Sequence, residues 1–368
     1  MRRDENIAIY ERINVTKTWL PDRKKLDKYI DRIYENDRLT NNGPLVRELT
    51  KRLEEYLEVE NLLLVTNGTL ALQIAYRVLG IEKEAITTPF SFAATTSSLV
   101  WEHIQPRFAD IDANNFCIDP KEVAEKVGTD TTAIVPVHVF GNACDTEAID
   151  EIAGKNGLKV VYDASHAFGI KYKGKSILSY GDASTLSFHA TKLFHTIEGG
   201  AIVFKRREDL ERAKLMINFG IDGPDSIRDL GINGKMNEFQ AAMGLCVLDD
   251  LDKVMEQRRI LWERYQGKLA DLLQLQEWRA DNNNFGYYPV LFQGEYILLD
   301  VKRELNDINI YPRRYFFPSL NTVSALSSEM VELKNSERVS ENILCLPLYA
   351  GMDEVDQGKV IRCIEEFV

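Results

Sequence analysis

The feature that most constrains this chain is a regular alternation between two periodicities. Short apolar runs at Leu62–Thr66, Ala85–Thr88, Thr132–Val139, Leu158–Asp163, Ser184–Phe188 and Ala201–Lys205 read as strands. Between them, Thr69–Leu79, Ala93–Glu102, Pro120–Val127, Thr146–Asn156 and Asp209–Asn218 carry apolar residues at helical spacing. Apolar strands separated by amphipathic helices build βα units around a mainly parallel sheet. The expected class is therefore α/β, a mainly parallel mixed sheet flanked by helices. In such sheets the residues just past each strand face the ligand.

The pattern changes near residue 238. Phe239–Leu275 reads as one long helix, followed by Tyr287–Phe292, a helical Glu295–Glu304, Asn309–Ile310 and a last helix from Asp353. That predicts two domains, a large α/β domain over 1–246 and a smaller C-terminal α+β domain over 247–368. Asp22–Glu35 and Pro44–Leu57 read as two surface helices ahead of the first strand.

Composition narrows the class of function. The net charge of −12 across 368 residues argues against broad binding of a phosphate backbone, so no nucleic acid partner is expected. The five cysteines stand singly, without C-x-x-C spacing, which predicts free thiols in a reducing cytoplasm and neither a disulfide framework nor a metal site. The run Met1-Arg2-Arg3-Asp4-Glu5 is charged and no apolar core follows it, and the most apolar window, Leu62–Ile81, is broken by Asn67, Gln73 and Arg77. A secretory signal and a membrane span are not expected.

Chemistry-bearing residues gather at the strand ends. Asn67-Gly68-Thr69 follows the first strand and opens a helix, where free amides and the Thr69 hydroxyl make an anion cradle. The same tripeptide is also an ordinary N-cap turn. Asp163 ends the fourth strand, either as an N-cap or as a carboxylate aimed at a cationic ligand atom. Lys192 lies just past the fifth strand, as a solvated lysine or as a desolvated nucleophile toward an aldehyde. Together the three supply what pyridoxal phosphate (PLP) needs: an amine for its aldehyde, an acid for its ring nitrogen and a helix terminus for its phosphate.

The run Gly181-Asp182, Ser187-Phe188-His189-Ala190-Thr191-Lys192 and Glu198-Gly199-Gly200 resembles the signature of the DegT-type nucleotide-sugar aminotransferases. Thr88-Pro89-Phe90-Ser91-Phe92-Ala93-Ala94-Thr95, Pro136–Gly141, Gly231–Ala242 and Leu346-Pro347-Leu348-Tyr349 carry the likeness from Leu39 to Tyr349. The resemblance implies the fold type I architecture of PLP-dependent transferases. It implies Lys192 as the cofactor-bonding and proton-transferring residue, Asp163 at the ring nitrogen, His166 near the phenolic oxygen and Phe92 on the ring face. Gly68, Thr69 and Ser187 would hold the phosphate, with Asn67 standing where relatives often have Ser. Asn233 would reach across from a second subunit, so a homodimer is implied.

The amino donor implied by the family is L-glutamate, and the acceptor a nucleotide-linked keto sugar. His189 in Ser-Phe-His points to C-4, and the overall pattern resembles the transaminases that make dTDP-4-amino-4,6-dideoxy-D-glucose for lipopolysaccharide O-antigens; the bland alternative for His189 is a loop residue bonded to backbone. Amination at C-3, a UDP-linked 4-keto sugar, and a sensor of the same fold without turnover are the competing readings. Paired Arg313 and Arg314, set among aromatics, are the candidates for the substrate diphosphate or else a solvated loop. His138 and Asn142 are assigned to packing.

Overall fold

The computed structural model describes residues 12–326 and 331–368, so the charged run at residues 1–5 lies outside the described residues. Seven strands form the central sheet: β1 (Leu62–Val65), β2 (Glu84–Thr87), β3 (Gln105–Phe108), β4 (Thr131–Val135), β5 (Lys159–Asp163), β6 (Ala183–Ser187) and β7 (Gly200–Phe204). Their spatial order is β1-β7-β6-β5-β4-β2-β3. Only β7 runs against its neighbours, pairing antiparallel with β1 and β6, while β6, β5, β4, β2 and β3 pair in parallel. Six strands therefore present their C-terminal ends along one edge.

The apolar runs become strands because both sheet faces are covered. On one face the helix Gly68–Leu79 packs Ala71, Leu72, Ala75 and Tyr76 against Val65, Val135, Val161 and Ile202. On the other, Leu49, Leu53 and Leu57 of helix Pro44–Leu57 meet Leu62, Leu64, Leu186 and Ala201. The sequence reading missed β3, whose Gln105-Pro106-Arg107-Phe108 alternates exposed and buried. As an edge strand it needs one apolar face only, and an edge tolerates proline.

The long helix expected over Phe239–Leu275 is two helices, Glu238–Asp249 and Leu251–Leu269, jointed at Asp250. A hydrogen bond and two salt bridges hold the joint: Trp19 Nε1 donates to Asp250, Lys25 Nζ pairs with Asp250, and Arg52 pairs with Asp249. Leu251 and Val254 pack with the large core, whereas Leu261, Tyr265 and Leu269 join a second cluster with Leu298, Val301, Leu344 and Val360. The short strand Ile13–Asn14 pairs in parallel with Ile310–Tyr311, tying the N-terminal segment to that second cluster. All five cysteines are free, and four of them are buried. Among the described residues no helix is long and apolar enough to cross a membrane.

Candidate active site

The shared edge of β1, β5 and β6 brings distant sequence segments into one cleft of about 320 Å3. Its lining includes Asn67, Gly68, Thr69, Phe92, Asp163, His166, Ser187, His189 and Lys192. Asn233, Arg313 and Arg314 are not in it.

The helix after β1 begins where the backbone approaches β6 closely. A Cβ on Gly68 would lie 2.9 Å from the Ser187 Cβ, so only glycine fits between the helix terminus and that strand. Asn67 caps the helix, its Oδ1 accepting from the Leu70 amide at 2.9 Å. The cap reading thus describes its side-chain oxygen, while the first amides of the helix and the exposed Thr69 hydroxyl stay available to an anion.

Asp163 is 5% exposed at the end of β5. Thr95 Oγ1 donates to its Oδ2 at 2.7 Å and the Ser165 amide donates to its Oδ1 at 3.1 Å. Ser91 Oγ lies 2.7 Å behind Thr95 Oγ1. These bonds fix the carboxylate in a dry setting. Thr95 had no assigned role in the sequence reading; the one signal was a run of hydroxyl side chains, Thr95 to Ser98, inside a helix.

Lys192 Nζ donates to the Tyr287 hydroxyl at 3.2 Å. Burial lowers its pKa to about 8, against the opposing pull of Asp163 and Tyr315. A lysine so placed has a substantial neutral, nucleophilic fraction near neutral pH. His166 Nδ1 accepts from the Phe140 amide at 3.2 Å, which puts the imidazole proton on Nε2. Its ring clusters with those of Phe316 and Phe140, near-parallel to both with centroids at 5.5 and 6.1 Å, and burial together with Lys192 holds its pKa well below the usual value, so it is neutral. Phe92, 60% exposed, offers an uncovered ring at the mouth.

His189 Nδ1 accepts from the Thr191 amide at 3.3 Å, and its Nε2 lies 3.5 Å from Glu198 Oε1. It is held by the loop and still lines the cleft. Arg314 donates to Glu295 at 2.7 Å and to the Glu341 carbonyl at 2.8 Å, over the Phe317 ring. It is thus committed within the protein. Arg313 is exposed in a groove of about 990 Å3 that adjoins the cleft through Thr16, Phe92 and Tyr315. Asn233 is exposed and pairs through its backbone with Asn218. His138 stacks on Tyr162 at 4.6 Å, and Asn142 Nδ2 donates to the Glu277 carbonyl, so both serve packing. Sequence reasoning gave no role to Tyr287 and set Tyr315 and Phe316 among the aromatics beside the paired arginines; all three come from beyond residue 280 to close the cleft.

The family model of the DegT/DnrJ/EryC1/StrS aminotransferases matches residues 21–365. The chain belongs to that family. Within it, the chain is 40% identical to a dTDP-4-amino-4,6-dideoxy-D-glucose transaminase of Shigella dysenteriae, over 96% of this chain and 98% of the relative. It is 35% identical to the Escherichia coli transaminase of the same name, with the same coverage. Among solved structures it is similar to DesI in the presence of its TDP-sugar product, with a TM-score of 0.90 and 31% identity over 96% of this chain and 92% of that one. The DegT-family membership bears out the α/β fold of PLP aminotransferases and makes this chain a nucleotide-sugar aminotransferase.

Proposed function

We propose that the chain uses pyridoxal phosphate to move an amino group from L-glutamate to dTDP-4-keto-6-deoxy-D-glucose, giving dTDP-4-amino-4,6-dideoxy-D-glucose. The observation that carries this reading is the juxtaposition, in one cleft, of the Lys192 amine, the Asp163 carboxylate and the open N-terminus of helix Gly68–Leu79. The cradle at Gly68, which a Cβ would fill, fits a phosphate. The sugar and the nucleotide rest on the two transaminase relatives and on His189 beside the cleft.

When bound, the cofactor supplies an aldehyde for an amine and a ring that draws electrons from the bond being broken. Amides at Gly68 and Thr69, with Ser187, would hold its phosphate, and Phe92 its ring face. Asp163, fixed by Thr95 and Ser165, would keep a proton at the ring nitrogen. Neutral His166 would offer Nε2–H to the phenolic oxygen. Lys192 Nζ would hold the aldehyde and, once displaced by the incoming amine, would carry a proton between the donor's α-carbon and the cofactor's C4′ as base and then acid. In the second half the same amine would carry a proton from C4′ to C-4 of the sugar. In this reading residues 1–246 carry the cofactor, and residues 247–368 supply the covering wall through Tyr287, Tyr315 and Phe316.

The active unit is a homodimer in the cytoplasm, with Asn233 of each subunit serving the other's cleft. Supporting the dimer, Phe219, Ile221, Ile227, Leu230 and Ile232 expose a contiguous apolar stretch around a small hairpin. A hollow of about 570 Å3 is lined by Leu62, Ile217, Asn218 and Lys235, the last three of which flank that stretch in the sequence. An apolar patch of this kind marks an interaction surface.

The test is to load the protein with pyridoxal phosphate, add L-glutamate and record conversion to the pyridoxamine spectrum. A panel of dTDP-, UDP- and GDP-linked keto sugars with mass detection then reads the acceptor. Amination of the dTDP 4-keto sugar is expected. Absence of the half-reaction, or turnover of a 3-keto sugar alone, overturns the proposal.

A further inference from the structure

Arg258 is 4% exposed on helix Leu251–Leu269, and its guanidinium meets no carboxylate among the described residues. Nε donates to the Phe285 carbonyl at 2.9 Å and Nη2 to the Gly286 carbonyl at 2.8 Å. A buried cation satisfied by backbone carbonyls alone is costly, and stability without it is easier to obtain from an apolar side chain. The two carbonyls immediately precede Tyr287, whose hydroxyl accepts from Lys192 Nζ. Asn284 grips the same loop, donating to the His166 and Phe168 carbonyls and accepting from the Gly286 amide. The Tyr287 ring is then fixed on three sides by His166 at 4.7 Å, Phe140 at 5.4 Å and Tyr315 at 6.3 Å.

We infer that Tyr287 is a further catalytic residue that orients the Lys192 amine, and that Arg258 is the positioning residue that sets Tyr287. The inference rests on the proposed role of Lys192 as the reactive amine. An amine that must bond an aldehyde, leave it and then move protons needs a fixed direction in the intervals when it is free. A hydroxyl acceptor at hydrogen-bond distance supplies that direction. Arg258 acts at one remove: its fork spans two successive carbonyls, which a lysine's single point of charge does not reproduce.

Cofactor-free protein provides a test that does not depend on turnover. Acetic anhydride modification of Lys192, read by peptide mass spectrometry from about pH 6 to 10, reports the neutral fraction of its amine. The groups that face or share this cleft are Asp163, His166, His189, Glu198, Tyr287 and Tyr315, and all but Tyr287 are left intact in these variants. Tyr287→Phe keeps the ring and removes only the acceptor. Its modification midpoint is expected to fall by about 1 to 2 pH units, the size of one lost hydrogen bond to the ammonium form. Arg258→Gln should move the midpoint in the same direction, Arg258→Lys by less, and adding Arg258→Gln to Tyr287→Phe should change nothing more. A wild-type midpoint in Tyr287→Phe overturns the inference. So does a full Arg258 effect persisting in the Phe background. If Arg258→Gln does not fold, Arg258→Lys in both backgrounds makes the same comparison. A shifted midpoint in a protein whose Lys192 fails to capture pyridoxal phosphate would sink the proposed function, and with it the word catalytic for Tyr287, while the orienting contact itself would stand.

Discussion

The Thr95 hydroxyl donates to the Asp163 carboxylate at 2.7 Å, across 68 residues of sequence and from a helix to the end of a buried strand. Ser91 lies behind Thr95 at 2.7 Å, so the carboxylate ends a short relay of hydroxyls. In a dry site such a relay holds the acid in one rotamer.

Thr95→Val should therefore loosen the hold on pyridoxal phosphate. A hydrogen bond to a charged group is worth about 1.5–3 kcal/mol, which predicts cofactor binding weaker by roughly ten- to a hundredfold. Thr95→Ser, which keeps the hydroxyl, should stay near wild type. Equilibrium titration of cofactor absorbance checks both.

Lys192 makes stability depend on pH in a definite direction. Its folded pKa of about 8 lies below the unfolded value of 10.5, so between these two pH values the unfolded chain holds more protons. Stability from this group rises with pH across that window, and below it the full cost of burying the ammonium is felt. Lys192→Met should thus stabilise the cofactor-free protein most below about pH 8, by on the order of 2–3 kcal/mol, with the advantage fading toward pH 10. Denaturant melts of both proteins at several pH values measure it. A constant difference would contradict the assignment.

Two adjacent arginines should behave differently. Arg313→Ala is expected to raise KM for the nucleotide sugar about tenfold with kcat little changed, if its exposed guanidinium is the group that would bind the substrate phosphate. Arg314→Ala breaks the contact with Glu295 and the Glu341 carbonyl, so it should lower the melting temperature instead. Steady-state kinetics and calorimetry separate the two.

Leu230→Asp places a charge in the exposed apolar stretch, at a residue that is 70% exposed in the single chain. Sedimentation should show a monomer, and activity should fall with it, because each cleft would lose the partner's Asn233. An active monomer would refute the shared site.

Much of the site was legible before any fold was known. Asp163 and Ser187 end strands whose apolar runs are unmistakable, Asn67-Gly68-Thr69 and Lys192 follow such strands, and parallel strands carry their ligands at those ends. The edge strand Gln105–Phe108 was hidden because one exposed face dilutes its pattern. Asp250 was hidden as a joint because its reasons, Trp19 and Lys25, lie more than two hundred residues away. Arg313 and Arg314 were indistinguishable as neighbours, and only Glu295 and the Glu341 carbonyl tell them apart.

The alternation that opened the reading determined the α/β class, the strands that bear the site and the residue types waiting at their ends. These follow from local periodicity, which a chain carries wherever it goes. Tertiary structure decided what each of those residues meets. Thr95 behind Asp163, Tyr287 against Lys192 and Arg258 beneath Tyr287 are pairings between distant segments, and burial alone makes them matter. Desolvation is a property of the assembled interior, so a lysine becomes a nucleophile only once the fold has taken water away from it.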